Sequence, residues 1–176
     1  MIAATRHWIE RAVIGLNLCP FARAPLSMGR VRFRVSHATD GSQLVDALRQ
    51  ELQTLHDADP ATWETTLLIH PLVFADFLDF NDFLDDADAL LREMDLEGEI
   101  QVASFHPDYR FADTEADAIE NYTNRSPWPT LHLLRESSVD QAVASGIDTD
   151  AIYARNIDTL RRLGDDGWRA LWHDSD

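Results

Sequence analysis

The chain has 176 residues, a hydrophobic fraction of 45%, a formal net charge of −16 and a pI near 4.6. This length fits a single domain, residues 1–176, with a core large enough to fold without a metal ion or a disulfide. Nucleic acids bind to basic surfaces, and a chain as acidic as this one is therefore not expected to have a nucleic-acid partner.

All 15 cationic residues are arginines. Without a lysine, the chain cannot form a Schiff base with pyridoxal phosphate or a carbonyl substrate, and it lacks the lysine of a phosphate-binding P-loop. The single cysteine, Cys19, excludes an intrachain disulfide. The segment MIAATRHWIERAVIGLN carries charges too often for a signal peptide or a membrane span. We therefore expect a cytoplasmic protein that does not contact membranes.

The first half of the chain predicts helix, strand, helix and strand. Residues 2–17 have apolar side chains at helical spacing and end before Pro20, because a residue that precedes proline disfavours the helical conformation. RVRFRVSHA alternates apolar and polar residues as a strand does, and Asp40 or Ser42 is placed to cap the helix that follows. TTLLIHP is a short apolar strand that ends at Pro71.

The second half predicts a long helix, two strands and three further helices. Residues 75–94 form the long helix, GEIQVASFHPDYR begins a strand over residues 99–105, and PTLHLLRE is a fourth strand after a short helix at residues 114–122. The last two helices are residues 150–163, which end at Gly164, and DDGWRALWHD. This order predicts an α/β fold: a single-domain sandwich of helices on a mixed, partly parallel sheet of about four strands.

The aspartates between residues 76 and 95 recur about every third position in a helical pattern. A calcium loop instead places its oxygen ligands at alternate positions around a glycine bend. The run therefore predicts a solvated helix face. The alternative is a surface that docks a basic partner.

Two short segments carry the candidate catalytic residues. Cys19 lies just before Pro20 at the end of the first helix, where the helix dipole disfavours a thiolate. It is a small buried hydrophobe, a nucleophilic or redox-active thiol if a base lies beside it, or a metal ligand. In SFHPDYRFAD, His106 follows a strand at its carboxyl end, the place where open α/β sheets often bind ligands. Tyr109 and Arg110 lie on the next turn, where they are placed to donate a hydrogen bond and to bind an anion.

The segment ENYTNRSPWPTLHLLRE carries the other candidate binding residues, which are Asn121, Asn124, Arg125 and His132. Its amides are turn formers and hydrogen-bond donors, and a guanidinium binds carboxylate or phosphate groups in a bidentate manner. His132 lies in the middle of a strand that helices are expected to cover, so we expect it to be partly buried and hydrogen bonded.

Together, GLNLCPFA, FHPDYRFAD and ENYTNRSPWPTLHLLRE resemble the bacterial family catalogued as domain of unknown function 1415. The matching blocks extend from residue 15 to residue 136 and so cover most of the chain. The resemblance implies that the three segments belong together as hallmarks of one family. It implies no activity and transfers no functional residue.

Three functions follow from these observations. The first is an enzymatic or binding site for an anionic small molecule, formed where the three segments converge, with His106, Cys19 and Tyr109 as catalytic candidates. The second is a transition-metal site that uses Cys19, His106 and His132, although their spacing matches no metal motif. The third is a non-catalytic adaptor that docks a basic partner on the acidic helix 76–95. The sequence indicates no particular cofactor.

Overall fold

The computed structural model describes residues 1–144 and 149–172. Its four strands form one mixed sheet in the order β1-β2-β4-β3, in which β1 and β2 are parallel and the other two pairs are antiparallel. The α/β class and the partly parallel four-stranded sheet predicted from the sequence are therefore confirmed. The strands are β1 Val31–Val35, β2 Thr65–Ile69, β3 Ile100–Phe105 and β4 Thr130–Arg135.

Helix α3, Gly41–Asp57, connects the two parallel strands. Of the two predicted caps, Asp40 is the one used: its carboxylate accepts a hydrogen bond from the backbone N–H of Gln43 at 2.9 Å. Leucines at helical spacing bury one side of the helix against the sheet. They are Leu44, Leu48, Leu52 and Leu55.

Helix α4, Phe77–Glu93, packs beside α3 on the same face of the sheet. The side chain of Asp76 caps it by accepting from the N–H groups of Leu78 at 2.8 Å and Asp79 at 3.3 Å. Phe80 and Phe83 are buried in the core beneath it. The aspartates of the run are exposed, as the solvated-face interpretation predicts: Asp79, Asp82, Asp85, Asp86 and Asp88.

The other face of the sheet is covered by residues 2–27, called here the N-terminal layer. Helix α1, Ile2–Trp8, continues into a π-helical segment, Ile9–Ile14, and a short helix α2, Arg23–Ser27, follows. Trp8 and Val13 pack in one cluster with Leu67 of β2. Leu67 and Leu68 are neighbours on one strand and belong to the two different clusters, so the sheet lies between two separate cores.

The C-terminal region is helical, as predicted, with a break at the predicted glycine. Helix α6, Thr149–Ala170, has a non-helical residue at Gly164, where φ is 64°. Beyond the break, Trp168 and Leu171 pack against the N-terminal layer. The end of the predicted helix DDGWRALWHD, at residues 173 and 174, lies outside the described residues.

Three local differences from the sequence prediction have identifiable causes. The short helix predicted at residues 114–122 is a 3₁₀ helix at Ile119–Asn124, because residues 112–118 form turns instead. Helix α5, Glu136–Ala144, begins directly after β4 with no glycine or proline to signal it. Helix α2 has only five residues and contains Pro25, so it is too short to show the apolar spacing that predicts a helix. Within the described ranges, no helix is long and apolar enough to cross a membrane.

Candidate functional site

A cavity of about 270 Å³ lies between the sheet and the N-terminal layer. Two of the predicted site residues, Cys19 and His132, line it. Most of the remaining wall is aliphatic or aromatic, which is typical of small-molecule sites. That apolar wall includes Trp8, Ile9, Val13, Phe21, Ala22, Pro25, Leu26, Val31, Leu67, Ala103, Phe105, Leu134 and Val139.

A tight reversal after the π-helical segment brings Cys19 to the cavity. Asn17 adopts a left-handed conformation with φ of 55°, and the N–H of Leu18 then bonds the carbonyl of Val13 at 2.8 Å. Helix α6 fixes this turn, because the side chain of Asn156 donates to the carbonyl of Leu18 at 2.8 Å. The turn is therefore held by contacts from both ends of the chain.

The Cys19 side chain is partly buried at the cavity wall. Burial raises the pKa of the thiol above its usual range, and backbone N–H groups of Phe21 and Ala22 only partly oppose this effect. The sulfur is therefore a thiol at neutral pH. The sequence allowed a buried side chain, an activated nucleophile or a metal ligand at this position. The raised pKa favours the buried thiol.

The His132 ring projects from β4 toward the same cavity. In the sheet it lies between Leu67 of β2 and Ala103 of β3, which also line the cavity. Its Nε2 atom is 2.7 Å from the Thr65 hydroxyl, and that hydroxyl donates to the carbonyl of Leu133 at 2.6 Å. The expectation that His132 is partly buried and hydrogen bonded is thus confirmed. Burial lowers its pKa to about 4, which leaves the ring neutral at pH 7.

The two charged residues of the cavity lining are both engaged elsewhere. The guanidinium of Arg135 donates to the carbonyls of Leu55, Ala58 and Trp63. Glu64 pairs with Arg30 at 3.2 Å. The cavity wall therefore offers no uncommitted guanidinium to an anion.

His106 lies on the opposite side of the sheet from His132. Its ring stacks on Phe80 of α4, with ring centroids 5.5 Å apart, and it has no exposed surface. The N–H of Asp108 donates to Nδ1 at 3.0 Å, so Nε2 carries the proton and donates to the carbonyl of Phe74 at 3.2 Å. Both ring nitrogens thus bind the backbone, and burial lowers the pKa of the imidazole.

Tyr109 and Arg125 hold the HPDYR corner against the 3₁₀ helix. Arg125 donates to the carbonyls of Tyr109 at 3.3 Å and Ala116 at 2.6 Å, and its guanidinium stacks over the ring of Tyr122. The Tyr109 ring packs between Phe77 and Phe111. The guanidinium that the sequence suggested as an anion anchor therefore binds protein carbonyls.

The two predicted amides also bind backbone. The Asn121 side chain is fully buried; it accepts from the N–H of Phe111 at 3.0 Å and from the hydroxyl of Thr114 at 2.8 Å, and donates to the carbonyl of Glu115 at 2.8 Å. Asn124 makes a longer bond, 3.4 Å, to the carbonyl of Ser104. Arg110 is exposed.

The structure thus divides the predicted site residues between two places. Cys19 and His132 line the cavity, whereas the HPDYR and NRSPWP segments meet at a corner where backbone atoms take up most of their polar groups. Because the sheet separates His106 from His132, the three proposed metal ligands do not form one cluster. Among residues 1–144 and 149–172, no group of three or more His, Cys, Asp or Glu side chains is placed to hold a metal.

Sequence reasoning missed Thr65 and the aromatic wall of the cavity. Thr65 begins an apolar strand, and its contact with His132 depends on the register between β2 and β4. Trp8 and Phe21 belong to the N-terminal layer, which the sequence did not place on a particular face. The one signal in the sequence was Thr65 itself, a polar residue at the start of an apolar strand. Polar residues are also common at strand ends that have no function, so this signal did not indicate a site.

The family comparison covers most of the chain. The model of the family described as a protein of unknown function, DUF1415, matches residues 1–170. Neither the curated proteins nor the solved structures contain a significant match. The matched range includes the Cys19 turn, the HPDYR corner and the NRSPWP strand, and so confirms the resemblance seen in the sequence. The chain therefore belongs to the DUF1415 family.

Proposed function

We propose that the protein binds a small, largely apolar molecule in the cavity between the sheet and the N-terminal layer. The observation that carries the proposal is the cavity itself, about 270 Å³ with a mainly aliphatic and aromatic wall. An engineered apolar cavity of roughly 150 Å³ binds benzene, so this volume suits a bicyclic aromatic molecule or a short alkyl chain. Ligand sites generally combine such a wall with a few polar groups, which here are Cys19, Thr65, His132 and Ser138, besides the charged Glu64 and Arg135 that are engaged elsewhere.

The charge distribution favours an uncharged ligand over the anionic one suggested by the sequence. Arg125 and Arg135 donate to backbone carbonyls, and His132 is neutral at pH 7. An anion moved from water into an apolar wall loses its hydration without gaining a cation, which is costly. The net charge of −16 adds a further repulsion.

The same environment supports binding more than thiol chemistry. A nucleophilic cysteine needs a thiolate, and burial raises the pKa of Cys19. Because the pKa of His132 is about 4, that imidazole is a weak base toward such a thiol at pH 7. Both residues then serve as polar points in the wall of a binding cavity.

The test is a titration with 1-N-phenylnaphthylamine, an uncharged dye whose emission rises when it leaves water. We expect saturable binding with one dye per chain. Ala103 lines the cavity on β3 beside His132, so Ala103→Leu places extra methyl groups in the ligand's space. That substitution should weaken binding about fivefold or more, because overpacking typically costs about 1–3 kcal/mol.

Ala61→Leu is the matched control, since Ala61 is exposed and outside the cavity lining. It should leave the dye affinity unchanged. Non-saturable dye binding, or equal affinities for the wild type and Ala103→Leu, would contradict a ligand site in this cavity.

A further inference from the structure

The hydrogen bonds around Thr65 fix the position of the proton on His132. A threonine hydroxyl has one hydrogen to donate, and the carbonyl of Leu133, 2.6 Å away, can only accept. The contact of 2.7 Å between the hydroxyl and Nε2 of His132 must therefore use a hydrogen from the ring. A neutral imidazole carries one N–H, so Nδ1 holds a lone pair.

That lone pair is available from the cavity. Within the described residues, the contact with Thr65 is the one hydrogen bond that the ring of His132 makes. Nδ1 makes no hydrogen bond, yet it is not a fully buried atom, so part of its surface is accessible. The ring itself lines the cavity. Burial also keeps the imidazole unprotonated at neutral pH, and so keeps Nδ1 an acceptor.

The rest of the wall gives this acceptor its selectivity. Most of the wall around it, Phe105 included, is ring and alkyl carbon that cannot donate to Nδ1 or hydrate a charge. The indole N–H of Trp8 is a donor, but it has no hydrogen-bond partner in the structure and so does not reach Nδ1. A ligand that displaces water from Nδ1 without supplying a donor leaves a buried polar atom unpaired. Such mismatches are what allow a binding site to reject a close analogue.

We propose, building on the proposed function, that the ligand is an uncharged molecule with an apolar body and one hydrogen-bond donor, a hydroxyl or ring N–H, which binds Nδ1 of His132. A carboxylate offers only acceptors to this nitrogen. An ammonium group brings a positive charge to a wall whose one carboxylate, Glu64, is paired with Arg30. The ligand class is thus a neutral phenol, alcohol or indole-like compound.

The experiment compares indole with benzofuran, which has nearly the same shape but an oxygen in place of the N–H. Both are measured by displacement of 1-N-phenylnaphthylamine from the wild-type protein at neutral pH. Indole should bind about three to ten times more tightly, the factor expected for a net hydrogen bond. This comparison needs no substitution, so it does not depend on the folding of a variant.

His132→Phe removes the acceptor and keeps a planar ring of similar size. The contact between Nε2 and the Thr65 hydroxyl is lost, but that hydroxyl still donates to the Leu133 carbonyl. Indole and benzofuran should then bind with equal affinity. Thr65 acts as a positioning residue: Thr65→Val should shrink the difference between the two ligands by freeing the ring proton, whereas Thr65→Ser should preserve it.

The outcomes separate this inference from the proposed function. Equal binding of indole and benzofuran to the wild type, with the dye still bound in the cavity, overturns the donor requirement and leaves apolar binding intact. Persistence of the indole preference in His132→Phe also overturns it. If neither the dye nor either ligand binds, both proposals fail.

Discussion

The sequence predicts both Asn121 and Asn124 as binding residues, but the two differ in burial and in the number of hydrogen bonds that they make. Asn121 is fully buried, and three hydrogen bonds tie its amide to the turns of residues 111–115. Asn124 has a single side-chain bond of 3.4 Å and partial exposure. At the scale of single residues, the amides of this segment therefore hold the corner together through hydrogen bonds within the protein.

Asn121→Ala should lower the free energy of unfolding by about 2–4 kcal/mol, since it removes three part-buried hydrogen bonds that contribute about 0.5–1.5 kcal/mol each. Asn124→Ala is the matched control and should cost about 1 kcal/mol or less. Urea unfolding measures both values. Similar losses for the two variants would show that the Asn121 network contributes little.

At the scale of elements, the sequence predicted best the helices that have a capping residue and a regular spacing of apolar side chains. Helix α3 follows Asp40, one of the two caps predicted for it, whereas the sequence analysis placed Asp76, the cap of α4, inside the predicted helix. The π-helical segment Ile9–Ile14 has the same apolar spacing as an α-helix, so its wider turn was not foreseen. Helix α2 was not predicted because it has too few residues to show a periodic pattern. Helix α5 was not predicted because it begins directly after β4 with no residue that signals the boundary.

The loop between β2 and α4 is held by two buried histidines. Nδ1 of His70 lies 3.3 Å from the carbonyl of Val73, and Nε2 of His106 donates to the carbonyl of the next residue, Phe74. Burial lowers the pKa of His70 to about 4, with a smaller contribution from the nearby His106. Both rings pack against Phe80 and so couple the loop to the core.

The lowered pKa of His70 predicts a loss of stability in mild acid. The unfolded chain binds a proton at this histidine below about pH 6.5, whereas the folded chain does so only near pH 4, so stability falls as the pH drops between these values. From pH 7.5 to pH 5 the contribution is about 2 kcal/mol. Urea unfolding of His70→Asn, which keeps a donor for the Val73 carbonyl, should show a correspondingly weaker pH dependence.

His37→Asn serves as the control for the His70 experiment, since His37 is an exposed histidine. It should retain the wild-type pH dependence. A His70→Asn variant that loses stability in acid as steeply as the wild type would assign the effect to other groups.

At the scale of the whole molecule, which parts of the three segments come together was only partly predictable. Alternation along β4 places His132 and Leu133 on opposite faces, and this much follows from sequence. Which face holds the N-terminal layer depends on the strand order β1-β2-β4-β3 and on the packing of Trp8 against Leu67. Those contacts join residues far apart in the chain, which local patterns do not encode.

The net charge of −16 acts on the folded molecule as a whole. Its like charges repel more strongly when the chain is compact, and salt screens them. Raising sodium chloride from about 10 mM to about 500 mM shortens the screening length from about 30 Å to a few ångström. We expect the urea midpoint to rise over this range.

Two substitutions with the same change in net charge distinguish the global repulsion from local pairs. Asp82 on α4 has Asp79, Asp85 and Asp86 three or four residues away, so Asp82→Lys replaces repulsion by attraction. Asp158 on α6 has Arg155, Arg161 and Arg162 at the same spacings, so Asp158→Lys does the reverse. At low salt, Asp82→Lys should gain about 1–3 kcal/mol of stability and Asp158→Lys should lose a similar amount. Each substitution reverses the sign of three pairs, and each like or unlike pair contributes about 0.2–0.5 kcal/mol. Equal gains in both variants would instead assign the effect to the net charge alone, and convergence of all three proteins at high salt would confirm that the differences are electrostatic.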